Sequence, residues 1–421
     1  MKRLLKIISS NKVLFQNFTS LSLLQLANYI FPIITLPYLV RVLGPEKYGL
    51  INFASAFTAY FTIITDYGFN LSATKEISVN RNNKEKVSEI FSSVLTIKIL
   101  LFFLSSVIFY LIVGMFAIFS NDSGFYTIMF IGVLGIVIFP LWLYQGLEQM
   151  KYILIINVVI RSVTVVIIFL AVKVQNDYLL LAVLYTIAQI LIGATGLIFG
   201  IRRFKLKYLF PSKVQLLDQL KKGWDLFLSS IWINLYTTSN VFILGLFAPN
   251  NVVGYYAAAD KIRIAFQGIL SSMSQSVFPY VNKILSESYE KFINFNKKLL
   301  SIAVIVGLFI SLSLFLFAKP IVNIVLGNEY LPSIIVLRII AWLPLIIFLS
   351  NIFGIQTMLP LNYQKRFSQI VFFAAVINLI ISFLIVPYYF EIGTSISMLI
   401  TEIFVTFSFF VFIKKNKIQI I

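Results

Sequence analysis

Twelve apolar segments recur along this chain, separated by loops whose basic residues gather on alternate sides. They lie near 18–42, 48–72, 89–118, 125–146, 153–172 and 178–200, and resume near 225–247, 253–279, 299–318, 333–358, 367–388 and 394–413. Runs of about twenty apolar residues are the length of a helix that crosses a bilayer. A chain 59% hydrophobic and only 12% charged lies outside the range of soluble domains, so these runs read as transmembrane helices. The fold class expected is an all-α integral membrane protein of about twelve spans.

The loops orient the spans. Both termini and the loops after even-numbered spans hold 25 of the 34 Lys and Arg residues, whereas the opposite set holds only Arg41, Lys47, Lys173 and Lys319. This alternation puts both termini in the cytoplasm of a multi-pass protein of the bacterial cytoplasmic membrane, with no extramembrane domain on either side. The net charge of +18 then reflects loops facing anionic lipid headgroups better than it reflects nucleic-acid binding. The N-terminal stretch MKRLLKIISSNKVLFQNF lacks the long apolar core and cleavage site of a signal peptide and reads as an amphipathic surface segment. Cysteine and histidine are both absent, which removes disulfides, thiol nucleophiles, histidine triads and the commonest zinc sites.

The longest cytoplasmic loop, 202–224, leaves six spans on each side, and the halves echo one another. LGPEKYGLINFA (43–54) resembles FAPNNVVGYYAAA (247–259), and Asn157 to Arg161 in span five matches Asn378 to Ser382 in span eleven. An even number of spans per half makes the repeat parallel, with a pseudo-two-fold axis along the membrane normal. The expected domains are an N-terminal six-helix lobe, 1–206, and a C-terminal one, 207–421, around a central cavity.

Candidate site residues follow from polar groups inside the spans. In span eight, Asp260, Arg263, Gln267, Ser271 and Ser274 follow at steps of three and four, which aligns them on one helix face beside Lys261. Such a stripe has to face a bundle interior or a water-filled cavity. Span two carries Asn52, Ser55, Thr62 and Asp66 in the same way, span one Gln25 and Asn28, and span seven Asn234. Any one Ser, Thr or Asn is more often interhelical glue, but four matched stripes favour a cavity.

Arg161 lies about eight residues, roughly 12 Å, inside span five, and Arg263 enters from the other side. An Arg at mid-span costs about 2.5–3.5 kcal/mol even on lenient insertion scales, so both are functional candidates. Lys98 and Arg338 are expected nearer span ends, where snorkelling competes. Asp66 is placed for a structural pair with Lys75, and Asp225 for the N-terminus of span seven. Glu402, mid-way along span twelve without a charged neighbour on its helix, is a candidate for taking up a coupling H⁺ or Na⁺, with Asp66 as the second. The excess of Arg161, Lys261 and Arg263 suits an anionic substrate, because a guanidinium can hold phosphate oxygens bidentately. Aromatics such as Trp142, Tyr144 and Tyr256 could stack on sugar rings, although packing is their commoner role.

Three stretches carry a family resemblance: LANYIFPIITLPYLVRVLGPEKYGLINFASAFTAYFTIITDYGFNLSATKEIS (26–78), VGYYAAADKIRIAFQGILSSMSQSVFPYVNKI (253–284) and INLIISFLIVPYYFEIGTSISMLITEI (377–403). The chain resembles the Wzx-type O-antigen flippases, polysaccharide transporters of the multidrug/oligosaccharidyl-lipid/polysaccharide exporter superfamily. The resemblance implies translocation of undecaprenyl-pyrophosphate-linked oligosaccharides to the periplasmic leaflet by alternating access of two lobes. It also implies an H⁺ or Na⁺ gradient instead of a bound cofactor, and a polymerase and chain-length regulator as pathway partners. GYYAAADKI (254–262) is the element that matches best, and no family residue beyond it is carried over. The rivals are a multidrug and toxin extruder, whose cavity should not be net basic, and a membrane-embedded polysaccharide polymerase. The polymerase would need a large outer loop, and the longest here, 318–333, carries one Glu and no motif.

Overall fold

The structure, a computed structural model, describes residues 12–420. The amphipathic segment expected at the N-terminus therefore lies, through residue 11, outside the described residues. Helices form the whole framework, and no strand occurs among the described residues. The first, α1 (Lys12–Asp66), carries spans one and two and is interrupted at Gly44, whose φ of 66° and ψ of 172° are non-helical. A left-handed φ costs glycine little, and Pro45 restarts the helix at a position that needs no amide donor. Next come α2 (Phe69–Asn80), α3 (Lys84–Met115), the short α4 (Ala117–Ser120), α5 (Ser123–Ile138), α6 (Leu141–Gly146), α7 (Met150–Ala171) and α8 (Tyr178–Phe204). The second half comprises α9 (Lys213–Phe247), α10 (Asn250–Glu287), α11 (Tyr289–Leu316), α12 (Ala318–Val325), α13 (Ser333–Ile340), α14 (Leu343–Phe353), a π-helical turn (Gly354–Met358) and α15 (Gln364–Lys415).

Among the described residues, eight helical stretches are long and apolar enough to cross a membrane. Two of them, Thr19–Asn80 and Gln364–Lys415, each hold two of the expected spans, the second broken at Phe390 (φ 45°, ψ −121°). The spans expected at 225–247 and 253–279 also fall on helices, α9 and α10. The protein is thus an all-α, multi-pass membrane protein. Large apolar side chains such as Leu100, Phe103, Leu104, Val107 and Leu111 of α3 are exposed, as a lipid-facing band requires. One expectation needs correcting. α9 begins at Lys213, so Asp225 sits three turns inside it, beyond the first turn over which the helix dipole acts.

The chain divides into two compact units. Unit 1 comprises Met1–Phe31 with Ala54–Ile231, and unit 2 comprises Pro32–Phe53 with Trp232–Ile421. In unit 1, Phe69 and Ile77 of α2 pack with Ile90, Phe91 and Val94 of α3 and with Trp142 of α6. There α5 and α8 touch backbone to backbone. A Cβ on Gly135 would lie 2.2 Å from the carbonyl oxygen of Gln189, and one on Gly193 would lie 2.2 Å from that of Gly135. Small residues let membrane helices gain packing where the hydrophobic effect offers none.

In unit 2, Val281 and Ile284 of α10 join Phe292 of α11, Phe353 of α14 and Phe409 of α15, with Ile418 and Ile420 of the C-terminal tail folded in. The two echoing stretches meet within this unit. A Cβ on Gly49 would lie 1.7 Å from the Asn250 carbonyl oxygen, and one on Gly254 would lie 2.0 Å from that of Pro45. The contact is reciprocal: each repeat's glycine rests on the backbone at the other repeat's helix start. Nothing larger fits.

Candidate functional site

Unit 2 encloses a cavity of about 420 Å³ bounded by α9, α10, α14 and α15. Its polar lining is Asn240 of α9, Tyr256, Asp260 and Arg263 of α10, Ser350 and Asn351 of α14, and Glu402 of α15. Apolar side chains such as Ile264, Phe367, Met398 and Phe409 complete the wall. Helical spacing explains the α10 contribution, since residues 256, 260 and 263 share one face. The π turn at Gly354–Met358 supplies Ile355 to the same wall and aims Gln356 Nε2 at Ser274, 2.8 Å from its carbonyl oxygen and 2.9 Å from its hydroxyl. Extra residues in a helical turn of this kind commonly accompany functional sites.

Arg263 is 5% exposed and donates from Nε to Asp260 Oδ1 at 2.7 Å. Glu402, also buried, acts on the same guanidinium electrostatically. Burial of one cation among two carboxylates leaves the cavity with one net negative charge when both are ionised. A low-dielectric site of that sign favours a cation or a proton over an anion. Glu402, without a charged neighbour on its own helix, shares the cavity with the Asp260–Arg263 pair of α10.

Arg161 belongs to unit 1 and differs in every respect. It is partly exposed, and its Nη1 donates to Asn28 Oδ1 of α1. Among the described residues no carboxylate lies within ion-pair distance of it. Gln25, one turn before Asn28, donates to the Tyr29 hydroxyl at 3.1 Å. Span one and span five thus present a cation, two amides and a phenol without a counter-charge, which is a surface an anion can approach.

Other expectations resolve differently. Asp66 pairs with Lys98, at 3.4 Å, rather than with Lys75, and it also accepts from Asn70 Nδ2 at 2.8 Å. Lys98 is 2% exposed, so it does not snorkel. Lys261 and Gln267 are half-buried and stand outside the cavity lining, and Gln267 Oε1 is buried without a hydrogen-bond partner. Asn234 of α9 likewise stands outside that lining. Arg161, Lys261 and Arg263 are therefore not gathered into one basic pocket within either unit. In span two, Asn52 and Thr62 bond the carbonyls of Tyr48 and Thr58, one turn back, as polar residues in helices commonly do. Trp142 and Tyr144 are buried in the packing of unit 1 and unavailable to a sugar, whereas Tyr256 lines the cavity. Asn240 and Asn351 were missed: Asn240 follows Asn234 and Thr237 at steps of three, a stripe that could have been extended to it, whereas Asn351 stands beside Ser350 in an otherwise apolar run.

Residues 14–285 match a family described as polysaccharide biosynthesis proteins. An Escherichia coli K12 protein described as an O-antigen transporter is 32% identical over 98% of this chain and 100% of its own length. The chain belongs to this polysaccharide biosynthesis family. A Shigella dysenteriae O-antigen transporter of the family is 31% identical over 93% of this chain and 97% of its own, and the capsular polysaccharide biosynthesis protein CapF of Staphylococcus aureus is 23% identical over 95% and 99%. Among solved structures, the lipid II flippase MurJ in an inward closed conformation superposes with a TM-score of 0.71 at 15% identity, covering 97% of this chain and 90% of MurJ. An inward-facing MATE multidrug transporter gives 0.68 at 14% identity, covering 94% and 99%. At these identities the likeness establishes the fold the family shares with them, and nothing finer.

Proposed function

We propose that this protein is a flippase, not an enzyme, and that it moves lipid-linked oligosaccharide repeat units from the cytoplasmic to the periplasmic leaflet of the bacterial inner membrane. Arg161 carries the reading: it is a guanidinium within a membrane span, held by the neutral Asn28 and, among the described residues, paired with no carboxylate. A cation maintained in that setting at a cost of about 2.5–3.5 kcal/mol is available to a polyprenyl-linked pyrophosphate. The relatives' descriptions as O-antigen transporters support the substrate class. Two six-helix lobes, 1–206 and 207–421, would rock about the repeat axis, with both termini in the cytoplasm. A polymerase and a chain-length regulator would take up the product.

Coupling belongs in this proposal to the unit 2 cavity. Entry of H⁺ or Na⁺ would neutralise Glu402 or Asp260 and loosen their hold on Arg263. Asp66 is the weaker candidate, since Lys98 already balances it. A strain lacking this gene and any redundant flippase should accumulate cytoplasm-facing lipid-linked repeat units. Normal surface polysaccharide in that strain would refute the assignment.

A cation extruder on the same fold is the second reading, favoured by the net negative charge of the cavity. It would predict resistance to organic cations that follows Glu402 and ignores Arg161. Loss of glycan export on substituting Arg161 would separate the two.

A further inference from the structure

Beside Arg161, unit 1 has an apolar groove of about 160 Å³ between α7 and α8. Ile160, Val163 and Ile167 form one wall, and Ile187, Ala188 and Leu191 form the other. Val163, Ile187 and Leu191 are exposed along it, while the small Ala188 is 7% exposed and leaves the depression. The polar member, Thr164, donates its hydroxyl to the Ile160 carbonyl oxygen at 2.8 Å, so its proton is spent within the helix. Both walls are membrane spans, so the groove opens where lipid lies.

We infer that this groove receives part of the isoprenoid chain of a polyprenyl diphosphate whose phosphates rest on Arg161. The inference builds on the flippase reading above. Size excludes the glycan: pockets for whole small molecules run to about 300–1,000 Å³, and this one holds only a short length of hydrocarbon. Chemistry excludes it as well, because the lining offers no free donor to a sugar hydroxyl. Position supplies the occupant. Thr164 follows Arg161 by three residues, which places the groove's edge and the guanidinium on neighbouring parts of one helix surface. Ile160 lines the groove and also packs, with Leu24 of α1 one helical turn before Asn28, against the core around Ile156 and Ile192. An amphiphile with its anion at Arg161 and Asn28 therefore finds an apolar channel on the same edge of α7. A plain annular lipid has its phosphate at the bilayer surface, away from a mid-span arginine, and cannot use both features together.

The test is photolabelling of the full-length protein in liposomes with a polyprenyl diphosphate carrying a diazirine within its chain. Labelling of peptides from 159–191 is expected, reduced at least fivefold by unlabelled polyprenyl diphosphate and reduced similarly in Ala188→Phe. The competition is read on the unsubstituted protein, so a variant that fails to fold leaves the test intact. If a diazirine phosphatidylglycerol labels the groove equally and the polyprenyl competitor displaces neither, the groove is an ordinary lipid contact and the inference falls. Competable labelling confined to other helices overturns the groove but spares the flippase reading. Absence of competable labelling anywhere overturns both.

Discussion

Arg161 and Arg263 are the same residue type at comparable depth in two membrane spans, yet the molecule surrounds them in opposite ways. Arg263 is buried, tied to Asp260 at 2.7 Å and within the field of Glu402. Arg161 is partly exposed and donates to the neutral amide of Asn28, with no carboxylate in ion-pair distance among the described residues. A buried ion pair adds little net stability, but removing one member strands the other. An arginine without a counter-charge stabilises nothing in particular and is free to bind. The difference teaches that a charge in a membrane span has no role of its own; the charges facing it decide.

The largest effect that could break this contrast is on stability. Asp260→Asn leaves Arg263 buried with one carboxylate fewer and should cost about 3 kcal/mol. Thermal unfolding of the detergent-solubilised protein would register this, and a triple variant that adds Arg263→Met and Glu402→Gln, leaving no buried charge, should recover most of it. An unchanged midpoint in the single variant would mean that the pair is not structural. Arg161→Ala should do the reverse, leaving the midpoint within about 0.5 kcal/mol of the parent. Translocation in liposomes should instead fall about tenfold to a hundredfold, the worth of one or two charged hydrogen bonds. Arg161→Lys, which keeps the charge and loses the planar fork, should recover only part of the rate. Full activity in Arg161→Ala would remove it from the site.

Glu402→Gln sharpens the other half of the comparison. Transport should continue at a reduced rate while losing its dependence on the H⁺ or Na⁺ gradient, measured by clamping each gradient separately. A dependence that persists unchanged assigns coupling elsewhere. The smallest effect lies outside the membrane, at Asp177, whose carboxylate accepts the backbone N–H of Lys173 at 2.7 Å and of Val174 at 2.9 Å. These bonds, that from Lys173 foremost, hold its pKa below the ordinary carboxylate value. Their stabilisation is present above the ordinary pKa and fades as pH falls through the depressed one. Asp177→Asn should remove a slight low-pH loss of stability and leave transport unaltered, since the carboxylate sits on the short connection between α7 and α8, outside both helices.

The reach of sequence reading shows in these residues. Asp260 with Arg263 was legible because both lie on one helix at a spacing of three, a relation that helical geometry dictates locally. Lys98 pairs with Asp66 and Glu402 shares a cavity with Arg263 across different helices, and no spacing along the chain predicts which side chains will face across a gap. The tempting local partner of Asp66, Lys75, lost to one thirty-two residues away because the backbone turns at Tyr67 and Gly68, both with positive φ, and α3 then lies alongside. The echo of 43–54 in 247–259 was visible as letters, but the reciprocal seating of Gly49 and Gly254 was not.

What the sequence determined alone is what solvent and periodicity enforce. Helices span the membrane because apolar runs of that length must satisfy their own backbone in lipid. What only the tertiary structure decided is the balance of charge at each arginine. Coulomb interactions inside a low-dielectric bundle depend on distances of a few ångströms between helices far apart in the chain, and folding alone sets those distances.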